Sequence, residues 1–227
     1  MSRSILEVCA YNIRSCMIAE KAGAGRIELC SSPAEGGVTP SYGMIEYAVN
    51  NLSIPVYVMI RPRGGDFVYN SEELAIMRRD ILACKELGAA GIAIGILKAD
   101  NTIDVAEMKA MVALSYPMGV TCHKAFDRTP DAMISLEEVI ATGCERILTS
   151  GLQPTAMDGA SMLSELIDIA NDRIIIMPGG GVRSSNIKQL AIITGATQLH
   201  SSALLPHSEG FVADAGEVAE LVVQISN

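Results

Sequence analysis

Gly91-Ile-Ala-Ile-Gly-Ile-Leu97 contains no polar side chain, so a strand formed here is apolar on both faces. Such a strand needs cover above and below, which a parallel sheet wrapped by helices supplies. Ile174-Ile-Ile-Met-Pro178 has the same character. Outward from these two, short apolar runs bounded by Gly, Pro or Asp recur roughly every 20 to 36 residues. They cover 5–10, 26–30, 56–61, 91–97, 119–123, 146–150, 174–178 and 197–202. Helical spacing fills most of the gaps. Ser71-Glu-Glu opens a run to Leu87-Gly88, Thr102-Ile-Asp opens one to Leu114, and Ser135-Leu-Glu-Glu leads to Thr142-Gly143. Eight strands alternating with helices predict a (β/α)₈ TIM barrel, an α/β fold. An open doubly wound sheet is the alternative, but its glycine-rich fingerprint is missing after the first strand, where Cys9-Ala10-Tyr11-Asn12 stands.

The 227 residues suit one domain spanning 1–227. Seventeen Lys and Arg against 26 Asp and Glu give a formal charge of −9, which repels a nucleic-acid backbone. Mean hydropathy is high at +0.31, yet the longest uncharged stretch, 189–208, is broken by Gln, Thr, His, Ser and Pro and does not form a membrane span. The N-terminus lacks the order of regions of a secretory signal, and the six cysteines show no CxxC or paired spacing. A cytoplasmic protein with reduced thiols is expected.

In a barrel of this kind chemistry sits at the carboxyl ends of the strands. Glu7 and Glu28 fall within the first two strands, and Arg61 and Arg63 follow the third. His123 and Asp127 follow the fifth, Ser150 ends the sixth, and His200 and Ser201 lie on the eighth. Buried carboxylates need cations, and Arg61 and Arg63 are the expected partners of the glutamates. A buried ion-pair network that only plugs the barrel is one reading. The other is a site in which Glu7, Glu28, His123, Asp127 and His200 do acid–base work. Gly179, Gly180 and Gly181 after strand seven let the backbone approach a ligand ahead of a helix. With Ser150, Ser201, Arg61 and Arg63 they form a candidate anion site, and Thr39 to Ser41 should start a helix at the same mouth. Cys9 and Cys30 each lie two residues beyond a glutamate on neighbouring strands, so their sulfurs should converge. A linear Cu(I) site between two thiolates is one outcome, and inert burial is the other. Met108 and Met111 read as helix packing.

Glu7-Val-Cys9, Arg26-Ile-Glu-Leu-Cys30, Glu35-Gly-Gly-Val-Thr-Pro-Ser-Tyr-Gly43, Val58-Met-Ile-Arg-Pro-Arg-Gly-Gly-Asp-Phe67, His123-Lys-Ala-Phe-Asp127, Arg146-Ile-Leu-Thr-Ser-Gly151 and Met177-Pro-Gly-Gly-Gly181 resemble the CutC family, named for copper homeostasis. The resemblance runs from about residue 5 to 203. It implies a cytoplasmic TIM barrel, a homodimer or larger, that binds Cu(I). Lys124, where Arg is common, Leu152, where Gly is common, and Cys122, where an apolar residue is common, depart from the pattern without removing a polar strand-end residue. Strand alternation aims Cys122 toward the helices. The residues themselves also describe a lyase, isomerase or hydrolase acting on a small anionic, possibly phosphorylated, molecule, since a copper carrier has no need of an arginine clamp.

Overall fold

The computed structural model describes residues 4–206 and 209–226. Eight strands, β1 (Ile5–Ala10), β2 (Arg26–Leu29), β3 (Val56–Met59), β4 (Gly91–Ile94), β5 (Gly119–Cys122), β6 (Arg146–Thr149), β7 (Ile175–Pro178) and β8 (Gln198–Ser201), form one sheet. Every pairing is parallel, in the order β7-β6-β5-β4-β3-β2-β1-β8. A parallel bridge from Gly179 to His200 brings the two ends of the sheet together. With α1 (Ile13–Lys21), α2 (Tyr42–Asn51), α3 (Ser71–Leu87), α4 (Val105–Ser115), α5 (Ala132–Thr142), α6 (Ala160–Ala170), α7 (Ile187–Thr194) and α8 (Ala215–Ser226) between and after the strands, this is the expected (β/α)₈ barrel. No helix among the described residues is long and apolar enough to cross a membrane.

Short polar side chains set the helix starts. Asn70 accepts from the Glu73 N–H while Glu73 reaches back to the Asn70 N–H, a complete capping box for α3. Ser41 caps α2 as expected, and Asp104 caps α4. Helix α5 begins earlier than its Ser135 suggests, because the Asp131 carboxylate takes the N–H groups of Met133 and Ile134. Gly88 and Gly143 end α3 and α5 at φ +83° and +87°, where a side chain would be strained.

The sheet has two unlike faces. Between sheet and helices lies a continuous apolar core that includes Leu6, Val8, Ile27, Leu29, Val58, Ile60, Ile92, Ile94 and Cys122. Inside the barrel the alternate residues Cys9, Cys30, Met59 and Ala93 pack as a separate cluster. Strand β4 therefore faces inward with Gly91, Ala93 and Gly95, and its lack of bulk is what lets larger neighbours enter. A methyl group on Gly91 would lie 2.2 Å from the Tyr57 ring, one on Gly119 2.3 Å from the Tyr57 hydroxyl, and one on Gly95 2.5 Å from His123 Cε1. Gly91→Ala is accordingly expected to lower unfolding free energy by about 1–3 kcal/mol through overpacking. Urea titration checks this, and pairing the change with Tyr57→Leu should recover part of the loss.

Candidate functional site

The barrel interior is filled from the bottom by an aromatic and cationic floor. The guanidinium groups of Arg26 and Arg146 lie 5.2 and 5.1 Å from the centre of the Tyr57 ring. Both donate to Gln198 Oε1, at 2.8 and 2.9 Å, and Arg146 also donates to Thr121 and Glu145. Tyr57 donates its hydroxyl to Glu145 at 2.5 Å. Arg26, Tyr57, Thr121 and Arg146 are buried and only Glu145 in this set is exposed, so the floor is a plug.

Glu7 sits on this floor. Its Oε2 accepts from Arg26 Nε, and its Oε1 lies 2.7 Å from His200 Nδ1. Arg26 and His200 are the register partners of Glu7 on β2 and β8, so the parallel pairing itself delivers both. Burial alone would raise the Glu7 carboxyl, but the His200 hydrogen bond and the Arg26 charge hold it at about 2. The expected partners, Arg61 and Arg63, are elsewhere. Arg63 is tied to Glu73, at 2.5 Å, and to Asp66 and Val68, and lies over Tyr69 at the start of α3. It does not join the interior. Sequence reasoning missed Arg26, whose alternation with Glu28 on one strand was the available signal.

Above Glu7, a cavity of about 120 Å³ is lined by Cys9, Glu28, Met59, Arg61, Phe67, His123 and His200, among others. His200 Nε2 lies 3.8 Å from Glu28 Oε2, and that oxygen lies 3.6 Å from Cys30 Sγ. The Cys9 and Cys30 sulfurs are 3.8 Å apart. Burial and the neighbouring Cys9 push the Glu28 carboxyl well above its usual range. Burial opposes charge on His200, yet Glu28, Cys9 and Glu7 raise it. The contact from Cys30 draws the Cys9 thiol down against burial, with help from His200. Cys30 moves the other way, because Cys9, burial and Glu28 all disfavour its thiolate.

Another part of the lining is a row of guanidinium and ring contacts. Arg61 lies 4.8 Å from the centre of the Phe67 ring, and Phe67 lies 5.1 Å from the His123 ring. His123 Nδ1 accepts from the Ala125 N–H at 3.1 Å, which places the ring proton on Nε2. Burial, reinforced by Arg61, lowers His123 to about 3, so the ring is neutral.

A wider mouth of about 680 Å³ opens outward past Glu35, Gly65, Lys124, Asp127, Ser150 and Leu152. Asp127 serves the mouth's own loop: it accepts from Thr149 Oγ1, from the Ser150 N–H and hydroxyl and from the Leu152 N–H. Ser150 also donates to the Gln153 carbonyl, and Ser201 to the Val182 carbonyl. Gly179 packs against Leu148 and His200, Gly180 lies beneath Lys124 at φ +108°, and Gly181 faces Thr155. Helix α7 begins only at Ile187, and the three glycines, expected at the anion site, are not among the residues lining either the mouth or the inner cavity. Lys124 and Phe67, which lie within the family motifs but are not among the expected site residues, complete the walls.

Two sets of side chains have the proximity a metal ion needs: Cys9 with Glu28 and Cys30, and Glu7 with Glu28 and His200. The second is already closed by Arg26 and His200 hydrogen bonds. In the first, sulfurs 3.8 Å apart, each about 2.3 Å from a soft ion, subtend an angle of about 110°. That is a bent arrangement open to a third ligand, where the sequence suggested a linear one. Met59 packs against both thiols and offers a soft thioether.

Because Glu7 is charged in the folded protein down to about pH 2 and in the unfolded chain only above about 4.5, its share of stability is present above pH 4.5 and lost between 4.5 and 2. Glu7→Gln should lower stability at pH 7 by about 3–5 kcal/mol, since Arg26 and His200 lose their shared acceptor. It should also flatten the acid limb of unfolding free energy against pH. A variant as stable as the parent at pH 7 would show the carboxylate to be dispensable.

Residues 4–205 match the model of the CutC family. The mouse copper homeostasis protein cutC homolog is 44% identical over 206 residues, covering 91% of this chain and 76% of its own. The CutC family protein of Chromobacterium violaceum is 45% identical over 199 residues, 88% of this chain and 81% of its own. Among solved structures, the CutC protein of Streptococcus agalactiae superimposes with a TM-score of 0.83 at 38% identity, over 88% of this chain and 98% of that one. N-(5'-phosphoribosyl)anthranilate isomerase from Pyrococcus furiosus, at 12% identity and a TM-score of 0.65 over 98% of both chains, shares the barrel alone. In sequence along nearly the whole barrel, and in architecture, the chain belongs to the CutC family.

Proposed function

We propose that this protein takes part in copper homeostasis by holding one Cu(I) ion between Cys9 and Cys30. The observation that carries this reading is the 3.8 Å approach of two buried sulfurs at the wall of a cavity. Thiolate and thioether ligands select Cu(I), and Cys9, Cys30 and Met59 supply such a set on three adjacent strands. The neighbouring cation of His200 favours the Cys9 thiolate. Burial and Cys9 shift the Glu28 carboxyl upward, which lessens its opposition to a second thiolate. The other four cysteines are buried, and Cys16, Cys84 and Cys122 lie in the apolar core behind the sheet. Six unpaired thiols suit a reducing compartment, and the cytoplasm is the place proposed.

Anaerobic Cu(I) titration against a competing chelator tests the site. One tightly held ion per chain is expected for the parent and for the Cys16→Ser, Cys84→Ser control. The Cys9→Ser, Cys30→Ser double variant should lose it, and Met59→Leu should weaken it less than the loss of either thiol. Equal affinity in the parent and the double variant would overturn the assignment.

A further inference from the structure

The described residues contain five buried side-chain N or O atoms without a hydrogen-bond partner, and three of them, Glu28 Oε1, Arg61 Nε and His123 Nε2, belong to residues lining the inner cavity. A buried polar group left unsatisfied costs about 1–3 kcal/mol, so such a cluster marks a place where something else completes the bonding. Arg61 is the more telling case. It is only 5% exposed, its Nη groups donate to the Glu35, Gly37 and Gly65 carbonyls, and no carboxylate among the described residues pairs with it. An unpaired buried guanidinium is a standing demand for an anion.

The wall is also rigid. The Arg61, Phe67 and His123 stack fixes both free N–H groups, and Gly95 leaves the space in which the His123 ring stands. His123 offers a neutral donor, because its Nδ1 is already an acceptor. Lys124 lines the same cavity toward the mouth, where it is paired with Asp127 at 3.5 Å.

We propose that this cavity binds a short carboxylate, of about four to six heavy atoms given its 120 Å³, whose oxygens accept the Nε–H of Arg61 and the Nε2–H of His123. One guanidinium and one neutral imidazole match a planar monoanion. A phosphate ester, larger and more highly charged, is better suited to the outer mouth. The site uses Arg61 and His123 rather than the thiols that line the same cavity, and does not depend on copper. It narrows the anion site expected from Arg61, Arg63 and the glycine loop to Arg61 and His123.

The test is a titration of ¹⁵N-labelled protein with sodium acetate at constant ionic strength, following the Arg61 Nε–H and His123 Nε2–H signals. Acetate should move both in a saturable way, and acetamide, of the same shape but neutral, should move neither. His123→Phe should weaken acetate binding at least about tenfold, the weight of one hydrogen bond to a charged group. His123→Gln, which restores an N–H donor at similar reach, should stay within about threefold of the parent. If acetate leaves both signals still, or acetamide moves them equally, the cavity holds only water and the proposal fails. A folded His123→Phe protein that binds acetate like the parent overturns it as well. The measurement on the parent protein decides the matter even if the variant does not fold.

Discussion

Glu7 is the constraint from which the interior of this barrel is built. A carboxylate fully enclosed by strands is unfavourable unless cations meet both oxygens, and the parallel register supplies Arg26 on one side and His200 on the other. Each partner then carries the arrangement a step further. Arg26 extends downward to Gln198 and the Tyr57 ring, closing the floor with Arg146. His200 extends upward to Glu28, and Glu28 leads to the two thiols. Floor and cavity are thus one network of polar contacts crossing strands β1, β2, β3, β6 and β8.

Such a network needs room, and glycine provides it. Large side chains from β3 and β5 occupy the axis because β4 contributes only Gly91, Ala93 and Gly95 on its inner face. Sulfur and carboxyl groups from β1 to β3 and the Arg61, Phe67 and His123 contacts then line one cavity. A barrel filled evenly by branched residues would have no cavity at all.

The fold was legible because its signals are local and repeat. Apolar runs, helix caps and helix-ending glycines each report on a few neighbouring residues, and all eight strands fall where the runs lie. The convergence of Cys9 with Cys30 was legible too, from alternation on adjacent strands. What the sequence hid were choices made across the barrel. Arg61 and Arg63 looked equivalent as neighbours of the glutamates, but Pro62 between them separates one that faces the cavity from one bound to Glu73. Asp127 looked like an acid–base group because it follows His123 closely, whereas its oxygens organise the loop after β6. The Gly91-x-Ala93-x-Gly95 alternation was visible as an apolar strand, yet its meaning, space for Tyr57 and His123, depends on which face turns inward.

Charge balance joins the two proposed occupants. Around the cavity stand Arg61, Lys124 and His200, of which Lys124 is paired with Asp127 at 3.5 Å and His200 with Glu7, while Arg61 has no carboxylate partner among the described residues. Burial and Cys9 shift the Glu28 carboxyl upward, toward its neutral form. Two thiolates around Cu(I) would make a centre of charge −1, which answers His200, and a carboxylate held by Arg61 and His123 would answer Arg61. A protein that only needed to grip a soft cation would gain from carboxylates nearby and lose from an unpaired guanidinium. This cavity has both a carboxyl beside the thiols and a guanidinium without a carboxylate partner. The guanidinium favours a guest that brings negative charge, and this joins the thiols and the Arg61 and His123 pair in one proposed site.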